Sequence, residues 1–129
     1  MATAYNDVPY TAQLTAEFIA GSSGVTKKTF VSIDGNTATT ATSGHALIAL
    51  NTAAEGAPVT VVVAGMALLS VNANSTNISG GTSKLMPTTG GLGIVAETTK
   101  DDYSAVALGD STTDADVIRV YLAHGTENI

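Results

Sequence analysis

The residues able to do chemistry in this chain are few, and their spacing works against most reactions. Its two histidines, His45 and His124, each stand beside an alanine and a glycine in an apolar setting, outside any HExxH or comparable ligand pattern. Both read as structural or exposed. Asp110, Asp114 and Asp116 could offer oxygens to calcium, but an EF-hand loop needs acids at alternate positions, a central glycine and a terminal glutamate. A solvated turn ahead of a strand accounts for the three aspartates. Gly91-Leu92-Gly93-Ile94-Val95-Ala96 spells a dinucleotide-binding turn, in which glycines let a pyrophosphate approach a helix N-terminus. That motif requires a strand before it and a helix after it. Here Pro87-Thr88-Thr89 precedes it, and Glu97-Thr98-Thr99-Lys100-Asp101 follows with no helical stripe. Gly90-Gly91-Leu92-Gly93 also fails as a calcium-binding β-roll repeat, because Val95 occupies the position that needs Asp and no second copy exists. No Gly-x-Ser-x-Gly elbow occurs, and nothing in the sequence assembles Ser, His and Asp into a triad. The expectation is a protein that is not an enzyme, with no catalytic residue, no cofactor and no metal site. The acids Glu97, Asp101 and Asp102 would carry a small enzyme's chemistry if that expectation failed.

Stepping out from these residues, 129 amino acids make one domain with a single modest core. Ala and Thr each occur 20 times, Gly 13 times and Val 12 times, while Cys and Trp are absent. Small and β-branched residues on this scale favour strands and turns. Without Cys there are no disulfides, thiolate zinc sites or thiol redox chemistry. Eleven acidic residues against five basic ones give a formal charge of −6, the wrong sign for a nucleic-acid partner. Lys27-Lys28 is too small a basic cluster to change that. The N-terminus shows no secretory signal, and the longest apolar stretch, 59–71, is interrupted by Thr60, Gly65 and Ser70 and falls short of the roughly 20 residues of a membrane span. A soluble protein with no membrane partner is expected, so the sequons at Asn74 and Asn77 read as a polar loop.

Residues 1–9 show no period and suggest an extended N-terminal arm. From Tyr10 to Ala20, apolar and polar residues alternate, the period of a half-buried strand; a helix pairing Leu14 with Phe18 is the alternative. Further strands are expected over Val25–Ile33, His45–Leu50, Val59–Val63, Met66–Val71, Leu92–Ala96, Ser104–Leu108 and Val117–Leu122, with a bend at Ala64-Gly65. Ile48-Ala49-Leu50 followed by Val59, Val61 and Val63 is echoed by Val106-Ala107-Leu108 followed by Ile118, Val120 and Leu122. The echo implies two equivalent hairpins from a duplication. The expected fold class is all-β, a small β-barrel or β-sandwich of about seven to eight short strands. Residues 1–24 would form the N-terminal arm and first strand, and residues 25–129 the barrel or sandwich domain.

The order of motifs carries a resemblance. Lys28-Thr29-Phe30-Val31-Ser32-Ile33, then 41–50, then 54–65, then Gly80-Gly81, Gly90-Gly91, 104–109 and 117–122 resemble the tailed-phage capsid decoration proteins, also called head-stabilising or cement proteins. The likeness spans about residues 25–123 and rests on the order of glycines, valines and small residues. It implies a non-enzymatic virion protein on the outer surface of the capsid, bound to the major capsid protein and self-associated as a homotrimer. Such a module clamps several capsid subunits at once and gains from multivalency. Tyr5, Pro9 and Tyr10 of the arm are the expected interface residues, since aromatic side chains are favoured anchors. The competing expectation is another virion β-module, such as a head fibre or tail component that binds glycans or a host surface.

Overall fold

Alternation decides where the backbone extends. In the computed structural model, which describes residues 13–74, 76–97 and 101–126, Ala16, Phe18 and Ala20 pack into a core while Thr15, Glu17 and Ile19 between them face outward. The same period runs through the long strands that follow. The strands are β1 (Gln13–Ala20), β2 (Phe30–Asp34), β3 (Thr37–Thr40), β4 (Leu47–Ala49), β5 (Pro58–Asn72), β6 (Lys84–Pro87), β7 (Gly93–Val95), β8 (Asp102–Ala107) and β9 (Asp114–Thr126), with one 3-10 turn at Thr89–Gly91. The fold is all-β, and residues 10–20 give a strand rather than a helix from Gln13 onward. The expected arm, with Tyr5, Pro9 and Tyr10, lies outside the described residues.

Among the described residues nine strands are present, where about seven to eight were expected. The additional ones are β3 and β6, whose Thr-Ala-Thr-Thr and Lys-Leu-Met-Pro sequences carry little strand signal. Each is bonded on both edges, β3 by β1 and β2, and β6 by β7 and β8, so the neighbours supply what composition does not. The strand expected over Val25–Ile33 begins only at Phe30, because Lys28 turns the chain with a φ of 64°. Val25 instead forms an isolated bridge with Ala53.

Pairing closes the strands into two five-membered rings. The first runs β1-β3-β2-β4-β5 and is closed by β1–β5; the second runs β5-β7-β6-β8-β9 and is closed by β5–β9. Strand β5 belongs to both. It is one continuous strand where two runs joined by a bend at Ala64-Gly65 were expected, and at Gly65, with φ of 102°, it passes from the first ring into the second. Each ring has one parallel pair, β1–β3 or β5–β7, and is otherwise antiparallel.

The registers match residue by residue. Ile48 opposes Val62 and Ala49 opposes Val61 in the first ring, as Val106 opposes Tyr121 and Ala107 opposes Val120 in the second. Glu17 opposes Thr60 as Leu68 opposes Arg119, and Ala20 opposes Ala38 as Val71 opposes Gly93. The N–H of Leu50 donates to Thr60 O and that of Leu108 to Arg119 O, both at 2.8 Å. The hairpin echo in the sequence thus extends to the whole ring, the mark of an internal repeat.

Each ring encloses its own core. Val31, Ala38, Ala49, Val59 and Val61 fill the first; Leu69, Val71, Leu85, Ala107 and Val120 fill the second. Phe30, Ile48 and Val62 belong to the first ring's strands but point the other way, into the second core. This wall of one ring plugging the next explains Gly91 and Gly93. A Cβ on Gly93 would lie 2.8 Å from Leu69 Cδ2 and 3.4 Å from Phe30 Cε2, and one on Gly91 would lie 2.8 Å from Phe30 O. The dinucleotide-like letters therefore mark close packing between rings.

Candidate interface

Strand β9 turns Ile118, Val120 and Leu122 into the second core, which leaves Val117, Arg119 and Tyr121 on its outer face. A solvated outer face is ordinarily polar. Here Arg119, the chain's single arginine, is surrounded by apolar side chains. Leu68 stands opposite it on β5, Leu108 lies across from it beyond β8, and Val117 and Tyr121 flank it along its own strand. Leu68, Leu108 and Val117 are each 40% exposed and Tyr121 39%. Among the described residues, no carboxylate lies within ion-pair range of Arg119. Arginine and tyrosine set in an exposed apolar patch are the composition of a protein-binding hot spot.

A second locus joins the rings where both histidines meet. Their ring centroids are 5.5 Å apart in an edge-to-face arrangement. His45 Nε2–H donates to Gly125 O at 3.0 Å, and His124 Nε2–H donates to Ala46 O at 2.6 Å. Asp102 Oδ1 lies 3.9 Å from His45 Nε2 and accepts from Thr126 Oγ1 at 2.8 Å. Buried Ser104 accepts from Ala46 N–H at 2.7 Å and donates to Gly44 O at 3.4 Å. A cleft of about 260 Å³ beside these groups is lined by Val31, Ser32, Ile33, His45, Ala46, Leu47 and His124. Every polar contact of this cluster except the one between Thr126 and Asp102 and the long His45–Asp102 approach ends on backbone, so the cluster fastens the 44–46 segment of the first ring to β8 and β9 of the second.

The carboxylates singled out in the sequence are dispersed. Asp110 Oδ1 accepts from Gly80 N–H at 2.6 Å and Asp116 Oδ1 from Val117 N–H at 2.9 Å, while the Asp114 side chain lies outside the described residues. Glu97 Oε1 accepts from Thr76 Oγ1 at 2.6 Å, and Asp101 Oδ2 accepts from Glu97 N–H at 3.2 Å. Among the described residues, no group of three His, Cys, Asp or Glu side chains gathers as a metal site, and no helix is long and apolar enough to cross a membrane.

The Arg119 patch was not among the residues expected from the sequence. Its signal was the outer face of the last alternating strand, where Val117 and Tyr121 bracket an arginine. Comparison with known proteins adds a likeness of fold. No family model matches the chain, and no curated protein matches it. Among solved structures the chain is similar to the N base of the head fibre protein gp8.5 of bacteriophage phi29, with a TM-score of 0.63 and 13% identity, covering 92% of this chain and 100% of that one.

Proposed function

We propose that this chain is a structural protein of a phage virion, a decoration or cement protein that binds the major capsid protein on the outer surface of the head and stabilises contacts between capsomers. It works as a homotrimer and uses neither nucleic acid nor membrane as a partner. The observation that carries this reading is the fold shared over 92% of the chain with a phage head-fibre base. The apolar Arg119 patch supports it as a module built for protein contact, and the polar groups of the histidine cluster are committed to holding the two rings together. The arm expected over residues 1–9, with Tyr5 and Pro9 in it and Tyr10 beside it, would supply the reach toward the head.

A second reading, the base of a head fibre, is favoured by the same neighbour. The two separate on what binding does to the head. Purified chain is added to heads assembled from the major capsid protein of the same genome, and co-sedimentation and heat release of the head contents are measured. Binding that raises the temperature of head rupture supports a cement protein. Binding without that gain supports a fibre base, and no binding rejects both. Deletion of residues 1–9 is expected to weaken co-sedimentation if the arm makes the contact.

A further inference from the structure

The equivalence of the two rings picks out a second face, at the positions corresponding to the Arg119 patch, that opposes it in charge; Tyr121 has no exposed counterpart there, because the equivalent Val62 is buried. At the positions equivalent to the Arg119 patch, the first ring carries Thr60 in place of Arg119, Glu17 in place of Leu68, Leu50 in place of Leu108 and Pro58 in place of Val117. Glu17 faces outward and is exposed, and no cation among the described residues pairs with it. Ile19, 44% exposed, follows it on the same face of β1, and Leu50, 36% exposed, lies across Thr60. Leu14, at 65%, stands at the start of the same strand. Among the described residues, the large exposed apolar side chains other than Leu14, which alternation places on the Ala16 face of β1, thus fall on two walls, one centred on Arg119 and one on Glu17.

We propose that the Arg119 face of one molecule docks on the Glu17 face of a second copy of this chain. Arg119 cannot face its own symmetry mate, because two guanidinium groups brought together inside an apolar rim repel each other. The pairing of unlike faces removes that conflict and gives each unpaired charge its counter-ion as the surrounding leucines, valine, isoleucine and tyrosine lose water. Such a contact is heterologous. Each copy uses both faces, so copies join head to tail and close into a ring when the rotation between them allows it. The contact rests on the self-association part of the proposed function; it involves no capsid surface, so its failure on the purified chain is distinguishable from a failure of head binding.

The test is a charge exchange. Molar mass is measured by light scattering on the full chain over a micromolar concentration series, for the wild type, Glu17→Arg, Arg119→Glu and the double variant, with circular dichroism confirming that each is folded. The wild type is expected to run as a multiple of the chain mass. Each single reversal places like charges together and is expected to weaken association by at least about tenfold, while the double variant restores it. A monomeric wild type, single variants that associate normally, or a double variant that does not recover would each overturn the proposal. If a monomeric wild type loses head binding on Arg119→Glu, the face belongs to the capsid instead.

Discussion

His45 and His124 each donate to the carbonyl of the residue that follows the other: His45 Nε2–H to Gly125 O, and His124 Nε2–H to Ala46 O. The exchange is reciprocal, and its two members come from different rings of strands.

Removing one half of this exchange has unequal consequences. The His124 bond is part-buried and the shorter, and it ends on the carbonyl of buried Ala46, so His124→Ala strands that carbonyl and is expected to cost about 1–2 kcal/mol of unfolding free energy. The His45 bond lies in the open, and His45→Ala is expected to cost less than about 1 kcal/mol. Urea denaturation of both single variants and the double checks this, with the double costing less than the sum because the two bonds share one junction.

The plug between the rings makes a sharper contrast. Phe30 is fully buried in the second core, and its equivalent in the second ring is Lys84, which opposes Val106 as Phe30 opposes Ile48 and sits 5.2 Å from the Tyr103 ring centroid. Phe30→Ala is expected to cost about 3–5 kcal/mol. Lys84→Ala is expected to cost under about 1 kcal/mol. Equal costs in a denaturant titration would mean that the first ring's wall does not fill the second.

Gly65 is where β5 changes rings, and its φ of 102° is one that side chains other than glycine rarely adopt. Gly65→Val is expected to destabilise by about 1–3 kcal/mol through backbone strain. The same residue placed at exposed Ala64 serves as the control and is expected to change the thermal midpoint little.

Ser104 is buried and its hydroxyl is the acceptor for Ala46 N–H. Ser104→Ala leaves that donor without a partner, at an expected cost of about 1–3 kcal/mol. Amide exchange at Ala46, measured by NMR, is expected to accelerate in this variant and to stay slow at Ala49, whose N–H donates to Thr29 O.

The readable part of this fold was its long alternating strands. Phe18, Val61 and Val120 each sit in a run whose period settles both element and buried face, and the echo of Ile48-Ala49 in Val106-Ala107 anticipates two hairpins of the same register. Thr37–Thr40 and Lys84–Pro87 were not readable as strands, because what holds them extended is pairing on both edges with residues elsewhere in the chain. The Arg119 patch and the histidine exchange were hidden for a related reason. Leu68, Leu108 and Arg119 become neighbours only through β5 and β9 pairing, and His45 meets His124 only because the rings are joined. The alternation of Val117, Arg119 and Tyr121 was visible, but an outward face reads as solvated until its cross-strand neighbours are known.

Two separate rings of five would need ten strands, and the described residues form both with nine because β5 serves each. A wall held in common cannot be withdrawn from one chamber and left to the other. Melting the first ring would take with it the strand that closes the second and the Phe30 plug that fills it, so neither half is expected to persist as a partly folded intermediate. The repeat doubles the architecture without dividing its cooperativity: heat or denaturant is expected to meet a single unit and to unfold it in one transition.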